Sequence, residues 1–129
     1  MPGRPQRVGD QIRAELSTLL LRSVRDPAVR LVTLTHVQLS RDLQHARVYY
    51  TAPIDASKVE TQRGLRRATT FLRSHLGRRM RLRHVPELTF VYDDSFEREQ
   101  RIAQVLEELH MNAPQSEDNG DNGDDSSTD

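Results

Sequence analysis

The sequence contains no cysteine, which excludes disulfides, thiolate metal sites and cysteine nucleophiles together. Aromatic residues make up only 5% of the chain and apolar residues 35%, so the core must be aliphatic and modest. No apolar run approaches the roughly eighteen residues needed to cross a bilayer. The opening Met1-Pro2-Gly3-Arg4-Pro5-Gln6-Arg7 lacks the apolar stretch of a signal peptide. Lysine is nearly missing too: of 19 basic residues only Lys58 is not arginine. There is no P-loop, GxGxxG or HExxH. At 129 residues the chain is long enough for one core and too short for two. A soluble cytoplasmic protein is expected.

The net charge of zero hides a strong asymmetry. All 19 bases lie in 1–112 with 13 acids, a surplus of six positive charges, and the other six acids lie in 113–129 with no base. A basic domain therefore carries an acidic tail. Arginine suits phosphate and base recognition because its planar fork donates in pairs and stacks on rings. A GC-rich genome would also favour arginine over lysine, but codon bias does not explain clustering.

Residues 1–7 carry two prolines and a glycine without hydrophobic periodicity, and read as a flexible basic arm. Val8, Ile12, Leu16, Leu19, Leu20 and Leu21 fall largely on one face and predict a helix over roughly 7–23, stopped by Asp26-Pro27. Leu31 to Leu39 is β-rich, Ser40-Arg41-Asp42-Leu43 has turn chemistry, and His45 to Thr51 alternates Ala46, Val48 and Tyr50 against Arg47, Tyr49 and Thr51. An antiparallel hairpin is expected. Residues 55–82 are helical by pattern, with Leu65, Ala68, Leu72, Leu76 and Met80 as the apolar row. A straight helix of that length would run about 42 Å in a domain roughly 35 Å across. A bend or a break is therefore expected, around Ala68-Thr69-Thr70, where two β-branched residues adjoin. Leu88, Phe90 and Tyr92 alternate in a third strand, and Asp94 with Glu97 resembles a capping box for a last helix over about 95–109. Its apolar positions are Ile102, Val105, Leu106 and Leu109. The composition of 113–129 predicts disorder.

The functional signal lies on the long helical stretch. At 100° per residue, Arg63, Arg66, Arg67, Thr70, Arg73, Ser74, Gly77, Arg78 and Arg81 gather on one side, and the apolar row gathers on the other. Arg79 and Arg83 flank this stripe, and no acid stands between Glu60 and Glu87. Like charges so spaced repel by some tenths of a kcal/mol per pair, a cost that an ordinary solvated face avoids by interleaving acids. A polyanion turns the repulsion into attraction through neutralisation and counterion release. Gly77 within the stripe either lets a phosphate backbone approach or marks a break before a separate Arg78–Leu82 turn. Arg41, Arg47, Arg4 and Arg7 form a second basic group, although Asp42 beside Arg41 can simply pair with it. Tyr49 either stacks on an exposed base or packs under a helix.

For catalysis little is available. His36, His45, His75, His84 and His110 show no spacing suited to metal. Asp93, Asp94 and Glu97 form the one tight carboxylate cluster, which either holds Mg²⁺ or caps a helix.

Eight segments in register resemble bacterial ribosome-binding factor A: Arg7-Val8 with Gln11-Ile12, Arg25-Asp26-Pro27, Leu31 to Thr35 (LVTLT), Val37 to Leu43 (VQLSRDL), Ala46 to Tyr49 (ARVY), Phe71 to Ser74 with Leu76-Gly77, Met80 to Arg83 with Val85 to Leu88, and Phe90 to Asp93 (FVYD). The resemblance covers about residues 4–109. It implies an α+β, type II KH-like fold in the order α-β-β-α-(kink)-α-β with a three-stranded mixed sheet. To this are added a C-terminal helix and a disordered acidic tail, so that 8–109 form the RNA-binding domain. It implies a monomeric, non-enzymatic assembly factor without cofactor or metal. Such a factor binds 16S rRNA on the free 30S subunit late in assembly, assists maturation of the rRNA 5′ end, and is released by an assembly GTPase. In that family an interhelical kink, commonly Ala-x-Gly, replaces the KH GxxG loop; the matching Ala68-Thr69-Thr70 lacks the glycine. The residues implied to touch RNA are Arg63, Arg66, Arg67, Arg73, Arg78, Arg79, Arg81 and Arg83, with Arg41 and Arg47.

Two other classes fit the residues less fully: a module docking an acidic protein, and a nuclease built on Asp93, Asp94 and Glu97. The tail admits a test of its own. If its six acids compete with RNA for the arginine face, deleting 113–129 tightens nonspecific RNA binding at low salt; if the tail only solubilises, a filter-binding titration finds the affinity unchanged.

Overall fold

Helix α1 spans Arg4–Arg22 and begins at a proline-bearing first turn behind Gly3. Proline is tolerated there because the first helical N–H groups have no intrahelical partner in any case. This corrects the expected arm over 1–7: Arg4 and Arg7 stand on the first turns of α1. Met1 and Pro2 lie outside the described residues, which are 3–112 of this computed structural model; the expected disordered tail over 113–129 lies outside them as well. The helix buries Ile12, Leu16, Leu19 and Leu20, as their spacing predicts, but leaves Leu21 exposed, 100° round the helix from Leu20.

A short 3-10 turn, η1 (Pro27–Val29), follows, with the Asp26 carboxylate accepting from the Ala28 N–H at 3.0 Å. Strands β1 (Thr33–Leu39) and β2 (His45–Thr51) pair antiparallel, Val37 opposite Val48, with an irregularity between Leu34 and His36. β3 (Glu87–Tyr92) adds parallel to β2, Val48 opposite Phe90, so β2 is the centre of a mixed sheet ordered β1-β2-β3. On β2 the expected alternation holds: Ala46, Val48 and Tyr50 are buried and His45 and Arg47 are exposed.

Helix α2 runs unbroken over Lys58–Met80, and its break at Ala68-Thr69-Thr70 is not found. At 23 residues it is about 35 Å long, short enough to cross the domain in one piece. Ser57 caps it by accepting from the Glu60 N–H at 3.2 Å, which starts the helix later than its apolar pattern suggests. The Thr69 hydroxyl donates to the Leu65 carbonyl at 3.0 Å, a back-bond that bends helices gently without interrupting them. The C-terminus closes at Arg81, left-handed at φ 53°, with the Leu82 N–H donating to the Gly77 carbonyl at 3.1 Å.

α1 and α2 lie on one face of the sheet and share with it a core that includes Leu16, Leu65, Leu72, Leu76, Val48 and Tyr50. Each such leucine contributes about 1.5–3 kcal/mol by burial. A polar link crosses the layers: the buried Tyr50 hydroxyl donates to Gln62 Oε1 at 2.6 Å, and Gln62 Nε2 donates to the Phe90 carbonyl at 3.0 Å. The α+β class and the mixed three-stranded sheet are as expected.

The chain divides after Asp93 into two compact units, and the last helix stands in the second. That helix, α3 (Ser95–Asn112), has no buried side chain. The Asp94 carboxylate accepts from Arg98 at 2.7 Å, and Ile102, Val105, Leu106 and Leu109 are exposed. Among the described residues no helix is long and apolar enough to cross a membrane.

α1 approaches β1 so closely that a Cβ on Gly9 would stand 2.7 Å from the Val37 carbonyl oxygen. Backbone cannot swing aside as a side chain does, so Gly9→Ala is expected to destabilise the fold by about 1–3 kcal/mol. Chemical denaturation of the purified variant checks this.

Candidate nucleic-acid interface

Burial of Leu65, Ala68, Leu72 and Leu76 turns the opposite side of α2 outward, and that side carries Arg63, Arg66, Arg67, Thr70, Ser74 and Arg78, all exposed. Arg81 follows at the helix end, and Arg83 in the loop to β3 is exposed as well. The fold, however, compensates part of the expected stripe.

Arg67 donates through Nε and Nη2 to Asp26 Oδ2 at 3.0 and 2.8 Å. Asp26 is only 23% exposed, and the Ala28 N–H together with the Arg67 guanidinium holds its carboxyl below the usual range. Arg73 turns inward and donates to the carbonyls of Pro86 at 3.0 Å and Val85 at 2.9 Å. Arg79 pairs with Glu15 on α1. Arg67, Arg73 and Arg79 thus brace the fold, which corrects the expectation of an uncompensated face. Arg63 meets Glu60 at 3.2 Å, both well exposed; such a pair is worth about 0–1 kcal/mol, so a phosphate displaces it cheaply. Among the described residues no carboxylate pairs with Arg66, Arg78, Arg81 or Arg83. Arg78 donates to Ser74 Oγ at 3.2 Å, and its Nη2 stands 3.4 Å from both nitrogens of the His75 ring. The free cations therefore concentrate toward the C-terminal half of α2 and the loop beyond it.

Gly77 is a correction to both sequence readings. A Cβ there would stand 2.7 Å from Val85 Cγ2, so the glycine admits a valine, not a phosphate, and the helix continues through it. Arg41 is not paired with Asp42. The Asp42 carboxylate accepts from Ser40 Oγ at 2.6 Å and from the Gln44 N–H at 3.1 Å, which leaves Arg41 exposed and without a carboxylate partner among the described residues. Nor does Tyr49 pack beneath α1 or α2: it lies on the outer sheet face, stacked on His36 with centroids 6.0 Å apart and Arg47 Nη1 3.5 Å from its hydroxyl.

No group of three His, Cys, Asp or Glu among the described residues could hold a metal ion, and Asp93 accepts from the Thr35 hydroxyl at 2.7 Å. Asp26 and Glu15, the acids that disarm Arg67 and Arg79, escape sequence reasoning because each stands far from its partner along the chain. Ser57 and Glu60, the capping pair at N-cap and N3 of α2, fit a known capping pattern that sequence reasoning passes over.

The profile described as ribosome-binding factor A matches residues 4–106. The ribosome-binding factor A of Thioalkalivibrio sulfidiphilus is 48% identical over 105 residues, covering 81% of each chain. The crystal structure of ribosome-binding factor A from Thermus thermophilus superposes with a TM-score of 0.63 at 29% identity, covering 70% of this chain and 97% of that one. Coordinates of the Thermus thermophilus factor fitted into the cryo-EM map of a 30S–RbfA complex give a TM-score of 0.60 at 29% identity, covering 70% and 96%.

The division between bracing and free arginines has a direct consequence. Arg73→Ala leaves two carbonyls without their charged donor and is expected to cost about 1.5–3 kcal/mol, whereas Arg66→Ala is expected to stay within about 0.5 kcal/mol of the parent. Thermal unfolding of the two variants side by side separates them; equal losses would contradict the assignment.

Proposed function

The chain belongs to the ribosome-binding factor A family, and on that premise we propose that it is a non-enzymatic assembly factor that docks on the free 30S subunit through 16S rRNA. The observation that carries this reading is the group of guanidiniums without carboxylate partners among the described residues, Arg66, Arg78, Arg81 and Arg83, with Arg41 and Arg47 as further contacts. Arg63 joins when phosphate replaces Glu60. Arg67, Arg73 and Arg79 act indirectly, by holding α2 where its outward face meets RNA. The relative fitted into a 30S complex supports the choice of partner.

Phosphate contacts position a protein on RNA, and shape outweighs base readout on a duplex whose deep groove side chains cannot enter. The domain, KH-like but with its long helix unbroken, therefore holds an rRNA conformation while the subunit matures. The finer assignments are late processing of the 16S 5′ end, release by an assembly GTPase, action as a monomer, and a cytoplasmic location. They follow the same premise and need no catalytic group on this chain.

Co-sedimentation with purified small subunits over a salt series tests the reading. Binding is expected to weaken steeply as salt rises, and Arg66→Ala and Arg78→Ala are each expected to lower the log–log slope by roughly 0.7–0.9. Binding indifferent to salt, or no preference for free small subunits over translating ribosomes, overturns it. Binding that survives ribonuclease points instead to an acidic protein partner.

A further inference from the structure

A cleft of about 210 Å³ opens where three segments distant in sequence meet. The start of α1 contributes Arg4 and Val8, the end of β1 and the turn after it Leu39 and Leu43, and the loop after α2 Leu82 and Arg83. Ile12, fully buried, forms part of its floor. Val8, Leu39, Leu43 and Leu82 remain only half-buried around the opening, an apolar concavity that folding itself leaves unfilled. Arg4, Arg83 and His84 stand at its rim, all exposed, and no carboxylate pairs with any of them among the described residues.

The backbone around the cleft is unusual. Leu43 and Arg81 are the two non-glycine residues with positive φ among those described, at 61° and 53°. Arg81 closes a helix, where left-handed backbone is common. Leu43 closes the turn between β1 and β2, its N–H donating to the Ser40 carbonyl at 3.0 Å, a hairpin position where left-handed backbone also recurs. That conformation sets Leu43 in the cleft wall, beside Leu39.

We infer that this cleft receives a single unstacked RNA base, whose adjoining phosphates lie on Arg4 and Arg83. A base is a flat apolar ring with a polar edge, tied to an anion, and the cleft offers those features in the same order. Aliphatic walls meet the ring, Asp42 and Gln44 on the lining meet donors and acceptors on its edge, and the guanidiniums meet the backbone. RNA that is recognised by sequence is generally read from bases splayed out of the helix in this way. The cleft is smaller than a site for a drug-sized ligand, which runs about 300–1,000 Å³, and so suits one ring system. An apolar side chain of a protein would fill the walls but has no use for the cationic rim, so the charge decides for a nucleotide. The inference rests on the RNA-binding reading above and adds to it a defined subsite.

The test titrates the full-length, methyl-labelled protein with single-stranded hexaribonucleotides of each base in turn, and with an abasic hexamer of the same charge. At least one base is expected to move the Val8, Leu43 and Leu82 methyl resonances upfield by its ring current, and the abasic hexamer is expected to bind about tenfold or more weakly. Leu43→Gly supplies the variant. Glycine takes φ 61° freely, so the thermal midpoint should hold while the affinity for that hexamer falls about tenfold. Hexamers that bind while the cleft methyls stay still, or an unaffected Leu43→Gly, overturn the subsite and leave the RNA-binding reading intact. No binding by any hexamer or by rRNA overturns both. Methyl shifts produced by extracted small-subunit proteins and not by RNA assign the cleft to a protein side chain and overturn the inference.

Discussion

Burial of one side of α2 against the sheet fixes nearly everything else in this domain. Leu65, Ala68, Leu72 and Leu76 must leave water together, and a helix offers only one rotation that achieves this. The same rotation sends Arg63, Arg66 and Arg78 outward and sets Arg73 at the flank, within reach of the Val85 and Pro86 carbonyls. Arg79 falls close to the buried side, near the helix end, where Glu15 of α1 meets it. The rotation is pinned by chemistry as well as by area: Gln62 bridges Tyr50 of β2 and the backbone of β3. The lone lysine, Lys58, stands 4.3 Å from the Tyr92 ring centroid at the first turn, a cation–π contact.

What can be read in the sequence is what depends on neighbours along the chain. The alternation of Ala46, Val48 and Tyr50, the apolar row of α2 and the spacing of Ile12 and Leu16 are local periodicities, and each places its side chains correctly. Boundaries are less legible, because two local signals point both ways. Pro5 reads as a breaker, yet it stands where a helix has no use for its N–H. Ser57 with Glu60 reads as ordinary polar sequence, yet it caps α2. The expected break in α2 rests on a length that the true boundaries shorten, and the long apolar pattern overstates the helix at both ends.

The candidate site is legible in outline and illegible in its division of labour. A row of arginines at helical spacing is visible in one dimension; the acids that answer them are not. Asp26 meets Arg67 only because η1 docks beside α2, where Gly64 lets Ala28 and Val29 come close. Arg73 finds carbonyls that the chain returns to it after the loop. Charge counted along a sequence therefore overestimates the charge available to a partner. The correction is not uniform, since it falls on Arg63, Arg67, Arg73 and Arg79 and spares Arg66, Arg78, Arg81 and Arg83.

That unevenness gives the domain a direction. The end of α2 nearest Ser57 is tied down through Asp26 and Glu60, while the end nearest Arg81 is tied through Glu15 at Arg79 alone, carries Arg78 and Arg81 without a carboxylate partner among the described residues, and borders an apolar cleft that α1 and the hairpin turn complete. Arginine serves both ends for one reason. Its fork donates in two directions at once, so the residue that braces a carboxylate or a pair of carbonyls in the fold is also the one that grips phosphate outside it. Internal ion pairs tie Arg63, Arg67 and Arg79 and leave Arg66, Arg78 and Arg81 without a carboxylate among the described residues. On the proposed reading a polyanion would be held first by the second set, and contacts to phosphate alone would fix its position without carrying sequence information.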